Sequence, residues 1–194
     1  MATVIEPFAP ERRDAAVAVL ANAFVTNPLL VAAFGAGRLD RSRAFFDIGL
    51  RQMFTGSAFV AIVDGAVRGY VHFVPSPSCQ PPADQLRAAA ATLWRPLGDA
   101  STPLVEWFSA WSRLDPKEPH LHLGPIGVSP AMQRRGVGRT LMARYIEQLD
   151  REAMAGYLET DKPENVRFYD TFGFVVQHEE SVIGTPTWYM WRPR

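Results

Sequence analysis

Apolar residues recur every four positions from Val137 through Leu141, Tyr145 and Leu149 to Ala153, with Met142 and Ile146 beside them. Arg139, Arg144, Glu147, Arg151 and Glu152 fill the remaining positions, so the segment predicts a long amphipathic helix opening at Gly136. Gly156 is read as the residue just past its end. Further helices are expected over 13–26, 28–34, 41–54, 84–94 and 103–114, and a short one from Pro163 to Gly173. Strand patterns cover 3–8, 57–63, 67–74, 120–128, 157–160, 174–176 and 187–191. Asp64-Gly65 joins two of these as a tight hairpin, because the pair accepts the positive φ angles a two-residue turn needs. Pro75 to Pro82 reads as a loop, and Gly124-Pro125 inside a strand suggests a bulge. The order of elements gives an α+β, or mixed α/β, fold class.

Composition changes this picture little. A chain of 194 residues, 47% apolar and 21% charged, fits a single domain over 1–194 with an ordinary core. Residues 15–37 carry no charge and are long enough for a membrane span, but Asn22, Thr26, Asn27 and Pro28 interrupt them. Two buried helices are expected there, and no membrane partner. Residues 1–7 lack the basic and apolar regions of a secretory leader. Twenty basic residues balance twenty acidic ones, which argues against a nucleic-acid surface. The single Cys79 allows no intramolecular disulfide and suits a reducing compartment, so a cytoplasmic location is expected.

The chemistry concentrates at Ile126-Gly127-Val128-Ser129-Pro130-Ala131-Met132-Gln133-Arg134-Arg135-Gly136-Val137-Gly138-Arg139-Thr140. A strand ends, a loop follows, and two glycines open the long helix. The first turn of a helix presents unpaired N–H groups at the positive end of the macrodipole, which suits phosphate. Arg134, Arg135 and Arg139 add positive charge around it. The segment lacks the Gly-Lys-Ser/Thr of a P-loop and the first glycine of the dinucleotide fingerprint. A solvated arginine pair before a glycine-rich helix start is the plainer alternative.

Gln133-Arg134-Arg135-Gly136-Val137-Gly138 resembles the Q/R-x-x-G-x-G/A signature of the GNAT superfamily of N-acetyltransferases. Ile126 to Pro130 looks like that family's fourth strand and the following loop, and Leu158-Glu159-Thr160 like its fifth strand. Phe168-Tyr169-Asp170-Thr171-Phe172-Gly173-Phe174 resembles its Phe-Tyr-x-x-x-Gly-Phe pattern. The likeness is close over about 120–175, and with Asn165 it is nearest to the puromycin N-acetyltransferase-like group. It implies a twisted, mostly antiparallel sheet of about six to seven strands with splayed fourth and fifth strands. It implies acetyl-CoA as cosubstrate, its pyrophosphate on the amides from Arg134 to Thr140 and its pantetheine arm along Ile126, Gly127 and Val128. The implied acceptor is the primary amine of a small molecule.

Acetyl transfer needs a neutral amine, a polarised thioester carbonyl and a proton for the departing thiolate. Tyr169 is the acid the resemblance implies; by itself it is equally a core aromatic beside Phe168 and Phe172. Asn165, one turn earlier on the same helix face, can bond the cofactor arm or cap the helix. The Val128 N–H can polarise the carbonyl. No carboxylate lies within 120–128, where some family members carry their base, which leaves Glu159 as base or as a strand-end salt-bridge partner. His120 and His122 share a strand face and read as sheet histidines, or as groups that orient substrate. No metal is expected there, because no Cys and no second ligand pair accompany them in sequence. Trp94, Trp107, Phe108 and Trp111 belong either to the core or to an acceptor pocket, which the segment 79–119 is expected to shape. A coenzyme A-binding sensor and a protein or peptide amine acetylase are the alternatives to a small-molecule enzyme.

Overall fold

The computed structural model describes residues 2–80 and 83–194. The elements in chain order are β1 (Thr3–Pro7), α1 (Arg13–Phe24), α2 (Pro28–Phe34), α3 (Leu39–Ile48), β2 (Ser57–Val63), β3 (Ala66–Pro75), α4 (Ala83–Thr92), α5 (Ser101–Leu114), β4 (His120–Val128), α6 (Val137–Glu152), β5 (Ala155–Thr160), α7 (Pro163–Asp170), β6 (Val175–Val182) and β7 (Thr185–Arg192). The strands form one seven-stranded sheet in the order β1-β2-β3-β4-β5-β7-β6. Only β4 and β5 pair parallel; every other neighbour is antiparallel.

Alternation along the strands sends successive side chains into two cores on opposite faces. Val60 and Tyr70 join Leu20, Leu29, Phe46, Trp94 and Leu104 on the face covered by α1 to α5. Ala61, Val71 and Phe73 join Leu141, Tyr145, Leu149, Tyr169 and Phe174 on the face covered by α6 and α7. The α6 stripe is buried from Val137 through Leu141 and Tyr145 to Leu149, whereas Ala153 lies exposed past the helix end, and the Tyr145 hydroxyl donates to the Leu121 carbonyl of β4. No described helix is long and apolar enough to cross a membrane; α1 and α2 meet that composition only as a pair and bend by 95° where they meet. Asn27 and Pro28 make that bend. The Asn27 side chain caps the Leu30 N–H, while Asp161 accepts from the Leu29 N–H at 2.8 Å and from the Asn27 amide at 2.7 Å.

Several boundaries differ from the sequence reading. Gly156 does not end α6: Ala153 takes the left-handed conformation at the helix end, and Gly156 lies inside β5. A Cβ at 156 would approach Leu149 and Phe174 to 2.8 Å, so packing rather than turn geometry demands glycine there. The helix expected to run to residue 54 stops at Ile48 and widens into a π turn over Gly49–Met53. The Phe54 ring occupies the space of a Cβ on Gly49. β6 and β7 are longer than expected, because Ile183 and Gly184, at φ 44° and 78°, form an unforeseen hairpin turn. Of the loop expected over 75–82, Pro75 ends β3, and Pro81 and Pro82 lie outside the described residues.

Two substitutions test this framework. Leu141→Ala leaves a cavity in the α6 face and is expected to cost about 2–5 kcal/mol, read as a lower urea midpoint at unchanged slope. Asp161→Ala strips the acceptor from two buried donors at the start of α2 and is expected to cost about 1–3 kcal/mol in the same assay.

Candidate active site

The parallel ladder between β4 and β5 stops at His122 opposite Tyr157, although both strands continue. Beyond it, Gly124 and Pro125 stand against the single residue His72 of β3, which is the bulge the sequence suggested. Ser129 donates to the Arg68 carbonyl, so the next pair, Gly69 and Val128, is non-hydrogen-bonded in the antiparallel alternation. The same alternation makes Val71 and Ile126 a non-hydrogen-bonded pair. The peptide groups of Val128 and Ile126 therefore point away from β3, toward the gap left by β5, and those of Gly127 point back into the sheet.

From Val128 the chain turns through Pro130–Met132 to α6. Arg134 sits at φ 60° and Gly136 at φ 87°, both left-handed, and no side chain caps the helix start. The first bond of the helix is from the Thr140 N–H to the Gly136 carbonyl at 3.1 Å, which leaves the amides of Val137, Gly138 and Arg139 without partners inside the helix. Arg134, Arg135 and Arg139 are exposed around this turn, with the Arg139 guanidinium 5.4 Å from the Phe172 ring centroid. A Cβ on Gly138 would touch only Val128 and Phe168 at ordinary distances, so an approaching ligand meets a flat surface.

A cavity of about 550 Å³ opens beside the gap. Ile126, Glu159, Asn165 and Tyr169 all line it, as do His122 and Asp161. Tyr169 is 6% exposed, and burial, reinforced by the charge of Asp161, pushes its hydroxyl above the ordinary tyrosine range. It therefore holds its proton at every physiological pH. Asn165 donates to the Thr160 hydroxyl at 3.1 Å. The Glu159 side chain is 1% exposed; one oxygen accepts from His122 Nε2 at 2.7 Å and the other has no protein partner. Trp107, Phe108 and Trp111 also line the cavity, whereas Trp94 is core and does not. Ser78, Cys79, Gln80, Gln85, Leu86 and Leu93 bring the 79–119 region and its entry loop to the wall.

The surroundings of the two histidines differ from the sequence reading. Cys79 does accompany them: its Sγ lies 3.5 Å from His120 Nε2 and 3.4 Å from a carboxylate oxygen of Asp115. The reason is a fold-back of the loop after β3. Ser76 and His120 exchange two bonds, Ser76 N–H to the His120 carbonyl at 2.9 Å and His120 N–H to the Ser76 hydroxyl at 3.0 Å. Burial opposes charge here, but the nearby imidazoles of His120 and His122 prevail: the Asp115 carboxyl is held well below its usual range and the Cys79 thiol is lowered. Burial likewise works against the imidazoles, yet Asp115 raises His120 to about 9, and the charge of Glu159 with Asp115 raises His122 well above its ordinary value. Nothing in the local spacing of Cys79 or Asp115 announces this meeting; only the lone cysteine and the Asp-Pro at a helix end hint at it. Asp161 was also missed, since an Asp before Lys-Pro reads as a helix start rather than as an anchor for a distant helix.

A sequence model of the Acetyltransferase (GNAT) family matches residues 29–174. Among solved structures, a Corynebacterium glutamicum protein described as histone acetyltransferase HPA2 and related acetyltransferase aligns with TM-score 0.74 at 20% identity, over 100% of this chain and 97% of that one. A Brucella melitensis GNAT family acetyltransferase in complex with acetyl-CoA aligns with TM-score 0.55 at 16% identity, over 99% and 88%. Drosophila melanogaster polyamine N-acetyltransferase aligns with TM-score 0.64 at 12% identity, over 98% of each chain. These likenesses carry the fold: a twisted sheet parted between its parallel central strands. With the match spanning most of its length, this chain belongs to the GNAT acetyltransferase family and is an acyltransferase.

Proposed function

We propose that the protein moves an acetyl group from acetyl-CoA directly to the primary amine of a small, largely apolar molecule. One observation carries the reading. Ile126 belongs both to the open edge of β4 and to the wall of the cavity that holds Tyr169, Asn165 and Glu159. A cofactor arm bonded along that edge delivers its thioester to those side chains, while its pyrophosphate lies on the unpaired amides between Arg134 and Thr140.

The amine nitrogen attacks the thioester carbonyl carbon, and the outward N–H of Val128 offers its hydrogen to the developing oxyanion. As the C–S bond breaks, Tyr169 gives its proton to the sulfur. Glu159 takes the amine proton on its unpartnered oxygen, directly or through water, while His122 holds the other oxygen in place. His120 is fully buried and does not line the cavity, so it does not meet the acceptor. Asn165 steers the arm.

The wall points to an apolar acceptor. Phe24, Phe45, Phe54, Trp107, Phe108 and Trp111 contribute to it, and among the described residues its carboxylates are Glu159 and Asp161 alone. Both Asp161 oxygens are already engaged by Asn27 and Leu29. A second ammonium group on the substrate would thus meet aromatic rings and the neutral side chains of Gln52, Thr55, Gln80 and Gln85, with no free carboxylate away from the reacting end to balance its charge. The polyamine named for the Drosophila neighbour is a poor fit on this ground.

Thiol release over a panel of amines tests the reading. Arylalkyl amines are expected to exceed spermidine in kcat/KM by at least about tenfold, the value of one to a few buried methylenes. The opposite order would overturn the acceptor assignment. Tyr169→Phe is expected to lower kcat about 10²- to 10⁴-fold with the acetyl-CoA KM little changed. If acetyl-CoA binds, no amine releases thiol and Tyr169→Phe alters nothing, the chain is a coenzyme A sensor; turnover confined to peptides would make it a peptide acetylase.

A further inference from the structure

Cys79, Asp115, His120 and His122 each offer one donor atom, and the four atoms lie within 4.8 Å of one another. Cys79 Sγ is 3.5 Å from His120 Nε2 and 3.5 Å from Asp115 Oδ1. Asp115 Oδ1 is 3.5 Å from His120 Nε2 and 3.5 Å from His122 Nδ1. For an imidazole and a carboxylate this is too long for a hydrogen bond, whose N···O length is about 2.7–3.2 Å. It is the length of a tetrahedron's edge. Metal–ligand bonds of about 2.0–2.3 Å at tetrahedral angles separate neighbouring donors by about 3.3–3.8 Å.

The outer nitrogens of both rings are occupied in the way metal ligands require. His120 Nδ1 is 2.8 Å from the Glu118 carbonyl, and His122 Nε2 is 2.7 Å from Glu159. Each partner is an acceptor, so each holds a ring proton on the outer nitrogen, and the inner nitrogen is the one that faces the cluster. His122 Nδ1, on a side chain 5% exposed, has no hydrogen-bond partner. A buried imidazole nitrogen turned toward a thiol, a carboxylate and a second imidazole, with no hydrogen-bond partner of its own, is placed to take a metal ion as its partner.

We propose that Cys79, Asp115, His120 and His122 form a tetrahedral site for a divalent transition metal, Zn(II) being the ion their mixed sulfur, nitrogen and oxygen set favours. Binding displaces to solvent the Cys79 thiol proton and the protons that the charged imidazoles carry on their inner nitrogens, and forms four metal–ligand bonds. With four protein ligands the site is closed, so its role is structural. Cys79 stands where the chain leaves β3 toward α4, and Asp115 where it leaves α5 to enter β4. The ion clips together the two ends of the excursion that supplies Trp107, Phe108 and Trp111 to the cavity. The site touches the cavity as well, since the same His122 bonds Glu159 through its Nε2. The site stands apart from the acetyl-transfer reading, and the experiment needs no activity.

The untagged full chain, exposed to zinc and dialysed, is assayed for metal by mass spectrometry, and then exchanged with Co(II). About one zinc per chain is expected, and the Co(II) form should show thiolate-to-metal charge transfer with the intense visible bands of a tetrahedral ion. Cys79→Ser should abolish the charge-transfer absorption, and His122→Ala should retain under about one tenth of the metal. His178→Ala, at an exposed position on β6, should change nothing. Glu159→Gln keeps all four donors and should weaken zinc binding about 10- to 100-fold. Native chain without stoichiometric zinc and without the Co(II)–thiolate absorption would overturn the proposal, whether or not the variants fold. Full zinc retention in both Cys79→Ser and His122→Ala would overturn it equally.

Discussion

The parting of β4 from β5 is the constraint on which everything else turns. A parallel pair inside a sheet ordinarily satisfies its own peptide groups, and a buried strand edge left open is costly. Here the pair separates after His122 and Tyr157, and the bulge of Gly124-Pro125 against His72 bends β4 away. Gly124 is obligatory, since a Cβ would lie 2.3 Å from His72 Nδ1, and Pro125 has no N–H to donate. The outward peptide groups of Ile126 and Val128 then lack a strand partner; the Val128 carbonyl accepts from Gln133 Nε2 at 3.3 Å, and the others are open to an extended amide chain. The same opening admits the side chains of β5 and α7 to a shared cavity, so one local irregularity creates both the open strand edge and the cavity beside it.

The charge distribution follows from that placement. The chain is neutral overall, yet three exposed arginines surround a helix start with unpaired amides, directly downstream of the open strand. Positive charge therefore gathers at one end of the open strand and not over the protein at large. At the other end the cavity wall is aromatic and its carboxylates few. Two unlike surroundings lie along a single strand, and the zero total conceals this polarity.

What was legible in the sequence was what local periodicity records. The stripe of α6, the Asp64-Gly65 turn, the break at Asn27-Pro28 and the interruption at Gly124-Pro125 each rest on neighbours within a few residues, and each stands in the structure. The long β6–β7 hairpin was hidden because Ile183-Gly184 is an unusual turn pair and β6 is an edge strand with a largely polar, exposed pattern. The π turn at Gly49 depends on where the Phe54 ring comes to rest, which no period reports. Of the site, Tyr169, Asn165 and Glu159 could be named from their motif and do line one cavity. The meeting of Cys79 with His120 could not, because 41 residues and two helices separate them and only the tertiary fold-back at Ser76 brings them together.

The two cores on opposite faces of the sheet have an evolutionary consequence. Leu20, Phe45 and Trp107 pack on one face, Leu141, Tyr145 and Phe174 on the other, and the strands between them share few side chains. Changes far apart and without common partners act independently. A lineage can therefore repack the aromatic core around α5 while the core beneath α6 stays untouched. In such a fold the two faces of one sheet are free to drift at different rates.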